Sequence, residues 1–391
     1  MRDKLRLSDL SILYVCLSDE WRTLERRCLS DATYFRNIGG TSIILCHEKS
    51  ILDREAEKES IPRIYFSSDL MRWRSKLNLY FQLQLIFQKQ QIDIVHAYNY
   101  ESLIPLGMIL KGSPETPLIY TFNENIEWKR TSFFDRLFVS RTDSIFTFST
   151  NIRELAIESF PVSSRKVHVT GAGIDFPAKI NRTIHPQDKK KMVTFISRVC
   201  NDLTPIKRVL DSIPSILHHL QSVGFEQKLI FTFLTDVSWY THPLYDPLKR
   251  MILERHLEMY FSFESKPLSC ASFQDCDVFI GLPLPELFTD CDLFALVTQT
   301  PVLVPRTSTR QMAIKQGKFG ETYHPEDARE FKDKLVKILT NYSKYLEELN
   351  GVEVELQELH HFERYAEELY AYYEKLYVQR LRYTQKKKKL A

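Results

Sequence analysis

Asp275 to Pro305 reads DCDVFIGLPLPELFTDCDLFALVTQTPVLVP. An apolar run, VFIGLP (278–283), leads into a loop that carries a carboxylate, Glu286. Residues 288–298 then space their apolar positions as a helix does, and PVLVP (301–305) is a second apolar run. Short apolar runs closed off by turn formers are the mark of strands buried on both faces, and two such strands joined by a helix pair in parallel. This stretch therefore predicts a βαβ unit, with Glu286 at the end of its first strand.

The same alternation extends in both directions. Before it lie MVTFIS (192–197), KLIFTF (228–233) and MYFSFE (259–264), with helical spacing at 207–223 and 247–258. Further back are ILYVCL (12–17), TSIILC (41–46), RIYF (63–66), DIVHAY (93–98), PLIYTF (117–122), SIFTFS (144–149) and KVHVTG (166–171), with helical spacing at 19–38 and 70–91. Strands alternating with helices specify an α/β fold with parallel sheets. A polar, basic stretch, NRTIHPQDKKK (181–191), breaks the pattern and reads as a linker. The expectation is four parts: a Rossmann-like domain over 1–180, the linker over 181–191, a second Rossmann-like domain over 192–365, and a final helix with a basic tail over 366–391. Two such domains in tandem would leave a cleft at the carboxyl edges of their sheets.

Composition agrees with this division. At 391 residues the chain suits two domains of about 150–200 residues, each burying its own core. With 43% hydrophobic and 26% charged residues, and no uncharged apolar run near the roughly 18 residues needed to span a bilayer, it does not read as an integral membrane protein. Met1 to Leu10 lacks the continuous apolar core of a signal peptide, so a cytoplasmic location is expected. The seven cysteines (16, 28, 46, 200, 270, 276 and 291) are odd in number and scattered among apolar neighbours, which fits reduced core thiols; none has the close pairing of a zinc site. A net charge of +3 gives no overall field for nucleic acid, and the aromatics are placed as packing residues, so no nucleic-acid partner is expected.

On these residues the chain resembles the family 4 glycosyltransferases of the GT-B fold, and the resemblance spans nearly its whole length. FISRVCNDLTPIKRVLDSI places Arg198 and Lys207 where the family keeps an Arg and a Lys for the donor diphosphate. Two such cations suit phosphate oxygens in a cleft poor in water. Glu286 falls on the first of the family's two glutamates, which faces the donor sugar. DIVHAYN resembles the segment carrying a cleft histidine, here His96, and VTGAGIDF resembles the turn before the linker. The resemblance implies catalytic roles for Glu286 and His96 and donor binding by Arg198, Lys207 and Glu286. It also implies a UDP- or GDP-sugar as donor substrate, a glycan, lipid-linked or protein acceptor, a final helix that returns to the first domain with Tyr370, Tyr373 and Leu376 in contact, and no metal or other cofactor. For each site residue a plainer origin exists: solvated surface charge for the cations, and a helix N-terminal acid favoured by the macrodipole for Glu286.

The chain departs from the family at several points. Phe294 stands where the second glutamate would meet the ribose hydroxyls, and a Phe on the inner face of a helix is core filling. Trp21, Arg22 and Thr23 occupy a loop that is often Gly-Gly, Asn123 stands at a common His position, and only 11 glycines are present in all. Two functions fit: a divergent sugar transferase, or an inactive GT-B frame that binds a sugar, a nucleotide or a glycosyltransferase partner subunit. Residues 67–91, with Arg72, Trp73, Arg74 and Lys76, and the Lys386 to Lys389 run suit peripheral contact with the inner face of an anionic membrane. A buried helix with a charged outer turn, and a solvated tail, account for the same letters.

Overall fold

The computed structural model describes residues 10–66, 73–124, 132–176, 191–197, 202–284 and 286–390. The chain divides into two compact units, one of Met1–Gly173 with Phe362–Ala391 and the other of Ile174–His361. The expected boundaries move by a few residues for a local reason. The Ile174 amide already donates to the His360 carbonyl at 2.7 Å, and Ile174 bridges to His361, so both ends of the second unit are tied together. Residues 181–190 of the expected linker lie outside the described residues, and Lys191 is already part of a strand.

The first unit holds seven strands: β1 (Ser11–Val15), β2 (Thr41–Cys46), β3 (Arg63–Tyr65), β4 (Ile94–Ala97), β5 (Leu118–Phe122), β6 (Ser144–Thr147) and β7 (Val167–Val169). They pair in parallel in the order β3-β2-β1-β4-β5-β6-β7. Leu13 lies opposite both Ile43 and Val95, and all three are buried, as a sheet covered on both faces requires. The second unit holds β8 (Lys191–Ser197), β9 (Lys228–Thr235), β10 (Phe261–Ser265), β11 (Val278–Ile280), β12 (Val302–Pro305) and β13 (Gly320–Tyr323), in the order β10-β9-β8-β11-β12-β13. Both orders are those of a doubly wound Rossmann-like sheet, with the strand order reversing at β1/β4 and at β8/β11. All twelve apolar runs read from the sequence lie on strands. The exception is β13, GETY, which has no apolar run; its Gly320 is packed so tightly that a Cβ there would stand 2.0 Å from the Val302 carbonyl oxygen.

Helices lie where the periodicity placed them, among them Thr23–Asn37, Trp73–Lys89, Thr204–Ser222 and Asp290–Val297. The last, Phe362–Leu390, includes the backbone of the Lys386 to Lys389 run, which is helical and not an extended tail. It belongs to the first unit and buries Tyr365, Leu369, Tyr373 and Leu376, spaced four, four and three apart, with Tyr370 beside them on the same face. Tyr370 stacks on Tyr34 and Phe35 of the Thr23–Asn37 helix, with ring centroids 5.3 and 5.6 Å apart. Beneath this seam Asp31 is buried and accepts hydrogen bonds from the hydroxyls of Tyr98 (2.6 Å) and Tyr365 (2.8 Å). Arg27 lies 3.6 Å from Asp31, stacks 4.3 Å over the Tyr365 ring and donates to the Gly173 carbonyl. Burial raises the Asp31 carboxyl above its ordinary value, with Arg27 and the two tyrosines working against that rise.

Of the basic stretch, residues 67–72 lie outside the described residues. The Trp73–Lys89 helix buries Leu79, Leu83 and Ile86 and leaves Phe81 and Leu85 exposed on its outer side. Among the described residues no helix is long and apolar enough to cross a membrane.

Candidate active site

In doubly wound sheets ligands bind beyond the carboxyl ends of the strands where the order reverses. In the second unit those strands are β8 and β11. The segment after β8 leads into the Thr204–Ser222 helix, whose first turn holds Pro205 and no acidic residue. Pro is suited to this position because the amide it lacks would have had no helical partner. Lys207 sits in this first turn and is exposed, so its ammonium adds to the positive end of a long helix dipole. Just before the helix, the Asp202 carboxylate accepts the Thr204 amide at 2.9 Å, and the Thr204 hydroxyl and amide lower its pKa. Arg198, the other expected diphosphate cation, lies outside the described residues.

The loop after β11 carries Glu286, which is buried. This loop is braced from below. The Tyr323 hydroxyl donates to the Gly281 carbonyl at 2.9 Å, and Arg310 donates to the Leu282 carbonyl at 3.2 Å. Arg310 also meets the Asp292 carboxylate at 3.2 Å, and both side chains are about 95% shielded, at 3% and 5% exposure. Asp292 in turn closes a capping box, since the Thr289 hydroxyl accepts the Asp292 amide and the Asp292 carboxylate accepts the Thr289 amide, each at 3.1 Å. The N-terminus of the Asp290–Val297 helix is thus met by the chain's own Asp290, Asp292 and Thr289, whereas that of Thr204–Ser222 is met, among the described residues, by Asp202 alone and carries Lys207 in its first turn. With one carboxylate and a lysine against two carboxylates, the second helix named is the more favourable of the two for an anion.

Phe294, on the Asp290–Val297 helix, has 5% exposure and packs 5.8 Å from Phe273, which also meets Phe195 and Phe279. The ring is part of an aromatic cluster against the sheet. Lys207 and Glu286 therefore follow the two strands that flank the reversal, while Phe294 is turned into packing.

His96 is placed differently from what the resemblance implies. It lies inside β4, has no exposed surface, and has both ring nitrogens engaged: Nδ1 with the Tyr373 hydroxyl at 2.6 Å and Nε2 with the Thr121 hydroxyl at 2.7 Å. Burial lowers its pKa from 6.5 to about 3, so it is neutral at ordinary pH, and its two nitrogens are taken by neighbouring hydroxyls rather than turned to a ligand. The final helix, which supplies Tyr373, turns this histidine into a structural residue.

A group not singled out in the sequence occupies the matching end of the first sheet. Glu124 follows β5 and accepts the Tyr100 amide at 3.1 Å. Burial and then the neighbouring Glu101 push its carboxyl up to about 8, against the pull of the Tyr100 amide and Arg22. A carboxyl that gains and loses its proton near neutrality is the kind of group acid–base chemistry uses. Its only signal in the sequence was its position beside Asn123 at the end of a strand. Among the described residues no group of three or more His, Cys, Asp or Glu side chains is arranged to hold a metal ion.

Comparison with known proteins agrees with this architecture. Residues 24–176 match the model of Glycosyltransferase Family 4. No curated protein sequence matches the chain significantly. Among solved structures, a glycosyltransferase from Rickettsia africae is similar with a TM-score of 0.69 at 14% identity, covering 94% of this chain and 98% of its own. Anabaena Alr3699/HepE in complex with UDP is similar with a TM-score of 0.67 at 14% identity, covering 93% and 99%. Sucrose-phosphate synthase from Thermosynechococcus elongatus is similar with a TM-score of 0.67 at 11% identity, covering 95% and 100%. At these identities the likeness establishes the fold, the GT-B arrangement of two Rossmann-like units.

Proposed function

We propose that this chain, a divergent relative of the family 4 glycosyltransferases with the GT-B fold, takes a nucleotide sugar as donor and transfers its hexose, with retention, to a hydroxyl of a glycan, lipid-linked or protein acceptor. The observation that carries the reading is the electrostatic contrast at the end of the second sheet. One helix start carries the exposed Lys207 in its first turn, and the loop after the neighbouring strand, which is braced, carries a carboxylate, Glu286. A diphosphate has two charges to offset and a sugar has hydroxyls to donate, so the two features suit the two halves of one ligand. That the Anabaena relative holds UDP supports a uridine nucleotide as the first to try.

In the proposed reaction the bond from the anomeric carbon to the diphosphate oxygen breaks as the acceptor oxygen attacks the same face. Lys207 and Arg198 stabilise the charge left on the diphosphate. Glu286 orients the sugar through its hydroxyls and favours the positive charge that grows at the anomeric carbon. The acceptor proton leaves to the departing diphosphate oxygen. No metal is invoked.

Phe294 favours a second reading, in which the chain binds sugar or nucleotide without turnover, because its buried ring offers no acceptor to a ribose hydroxyl. Slow nucleotide release separates the two. The native protein, incubated with UDP- and GDP-sugars, is expected to liberate the nucleoside diphosphate, and Glu286→Gln to abolish that release. Binding without release by the native protein would select the second reading.

A further inference from the structure

A cavity of about 350 Å3 opens along the outer side of the Thr23–Asn37 helix, within the first unit. It shares no lining residue with the donor site proposed above, and it falls in the lower part of the roughly 300–1,000 Å3 range of small-molecule pockets. Arg26, Ser30, Thr33 and Asn37 line it, a spacing of four, three and four residues that forms one stripe along the helix. The other side of the same helix, with Leu24, Cys28, Ala32 and Phe35, is buried in the core. The stripe is therefore a face that the fold leaves available.

Two further features give the cavity a chemical character. The first is aromatic. Trp21 from the β1 loop, Tyr34 and Phe362 wall it, and Tyr34 is fixed by stacking on Tyr370 (5.3 Å) and by the edge of Phe362 (5.3 Å). The second is polar and balanced. Arg26 and Glu59 contribute opposite charges, and Ser30, Thr33 and Asn37 contribute neutral donors and acceptors. The Glu59 backbone is anchored, its carbonyl accepting from Arg36 of the same helix.

We infer that this cavity is a saccharide-binding site, taking one or two neutral pyranose rings. A pyranose shows a C–H face, which lies well on an aromatic ring, and a rim of hydroxyls that each donate and accept. The cavity supplies partners for both. An isolated phosphate or carboxylate would meet Glu59 as well as Arg26, and an acyl chain would strand the polar stripe without partners. The ligand class is argued from the cavity alone. Its use, to hold the growing or acceptor chain some way from the reacting end, rests on the transferase reading given above.

The test uses the full-length protein and saturation-transfer NMR with methyl glycosides of glucose, galactose, mannose and N-acetylglucosamine, and with maltose and cellobiose. At least one is expected to bind, with Trp21→Ala weakening it about tenfold and Asn37→Ala several-fold, on the scale of an aromatic contact and a hydrogen bond. Asn37 and Glu59 are exposed, so Asn37→Ala and Glu59→Ala keep the test valid if Trp21→Ala misfolds. The inference is overturned if no saccharide binds, or if binding is the same in all three variants. UDP-sugar binding is measured in parallel. Nucleotide binding without saccharide binding sinks this site and leaves the donor reading standing; the converse sinks the donor reading alone.

Discussion

Replacing His96 by Gln tests whether this residue is structural, and the magnitude can be worked from its surroundings. The ring is fully buried between the Tyr373 and Thr121 hydroxyls, and its pKa falls from 6.5 to about 3. A base whose pKa is lower when folded binds its proton only on unfolding. Its contribution is therefore fully present above about pH 6.5 and is lost as pH falls towards 3. At 1.36 kcal/mol per pH unit, the loss between pH 8 and pH 5 is about 2 kcal/mol from this residue alone. Gln keeps one donor and one acceptor but cannot take up a proton. Urea titrations followed by circular dichroism at the two pH values should then show His96→Gln losing about 2 kcal/mol less than the native chain, whatever its stability at pH 8. Equal losses in the two proteins would refute the reasoning and return His96 to the list of groups that titrate in a solvated site.

Other expectations follow from the second unit and the seam. Arg310→Met leaves the Asp292 carboxylate buried without its cation and should cost about 3–5 kcal/mol in a urea titration, with donor binding falling as the Glu286 loop loosens. Phe294→Ala should cost about 3–5 kcal/mol, and Phe294→Glu should lower thermal stability with no gain in nucleotide affinity, because the ring packs on Phe273 and not at a ligand. If Glu124 handles a proton during turnover, Glu124→Gln should remove an ionisation near pH 8 from the rate profile; an unchanged profile would exclude it.

The parallel sheets were legible because strands buried on both faces must be nearly continuous apolar runs, and the chain marks almost all of them that way. β13 was not, since an edge strand of four residues with Gly320 against Val302 is set by backbone approach and leaves little trace in hydrophobicity. Phe294 could be read as core from its letter alone, and the aromatic cluster around Phe273 is where it sits. His96 could not. Whether a histidine on a buried strand faces a ligand or a hydroxyl depends on what covers it, and the cover is Tyr373, 277 residues away in sequence. For the same reason nothing in the sequence links Arg310 to Asp292, although the fold joins them in a buried pair under the Glu286 loop.

The central claim is that the end of the second sheet holds a nucleotide sugar through Lys207 and Glu286. Isothermal titration of the native protein with UDP, UDP-glucose and the GDP-sugars tests it most directly, with Lys207→Ala as the comparison. The account predicts saturable binding of at least one of them, weakened about tenfold by removal of an ammonium that contacts phosphate. Absence of binding by any nucleotide, or affinity unchanged in Lys207→Ala, would contradict it.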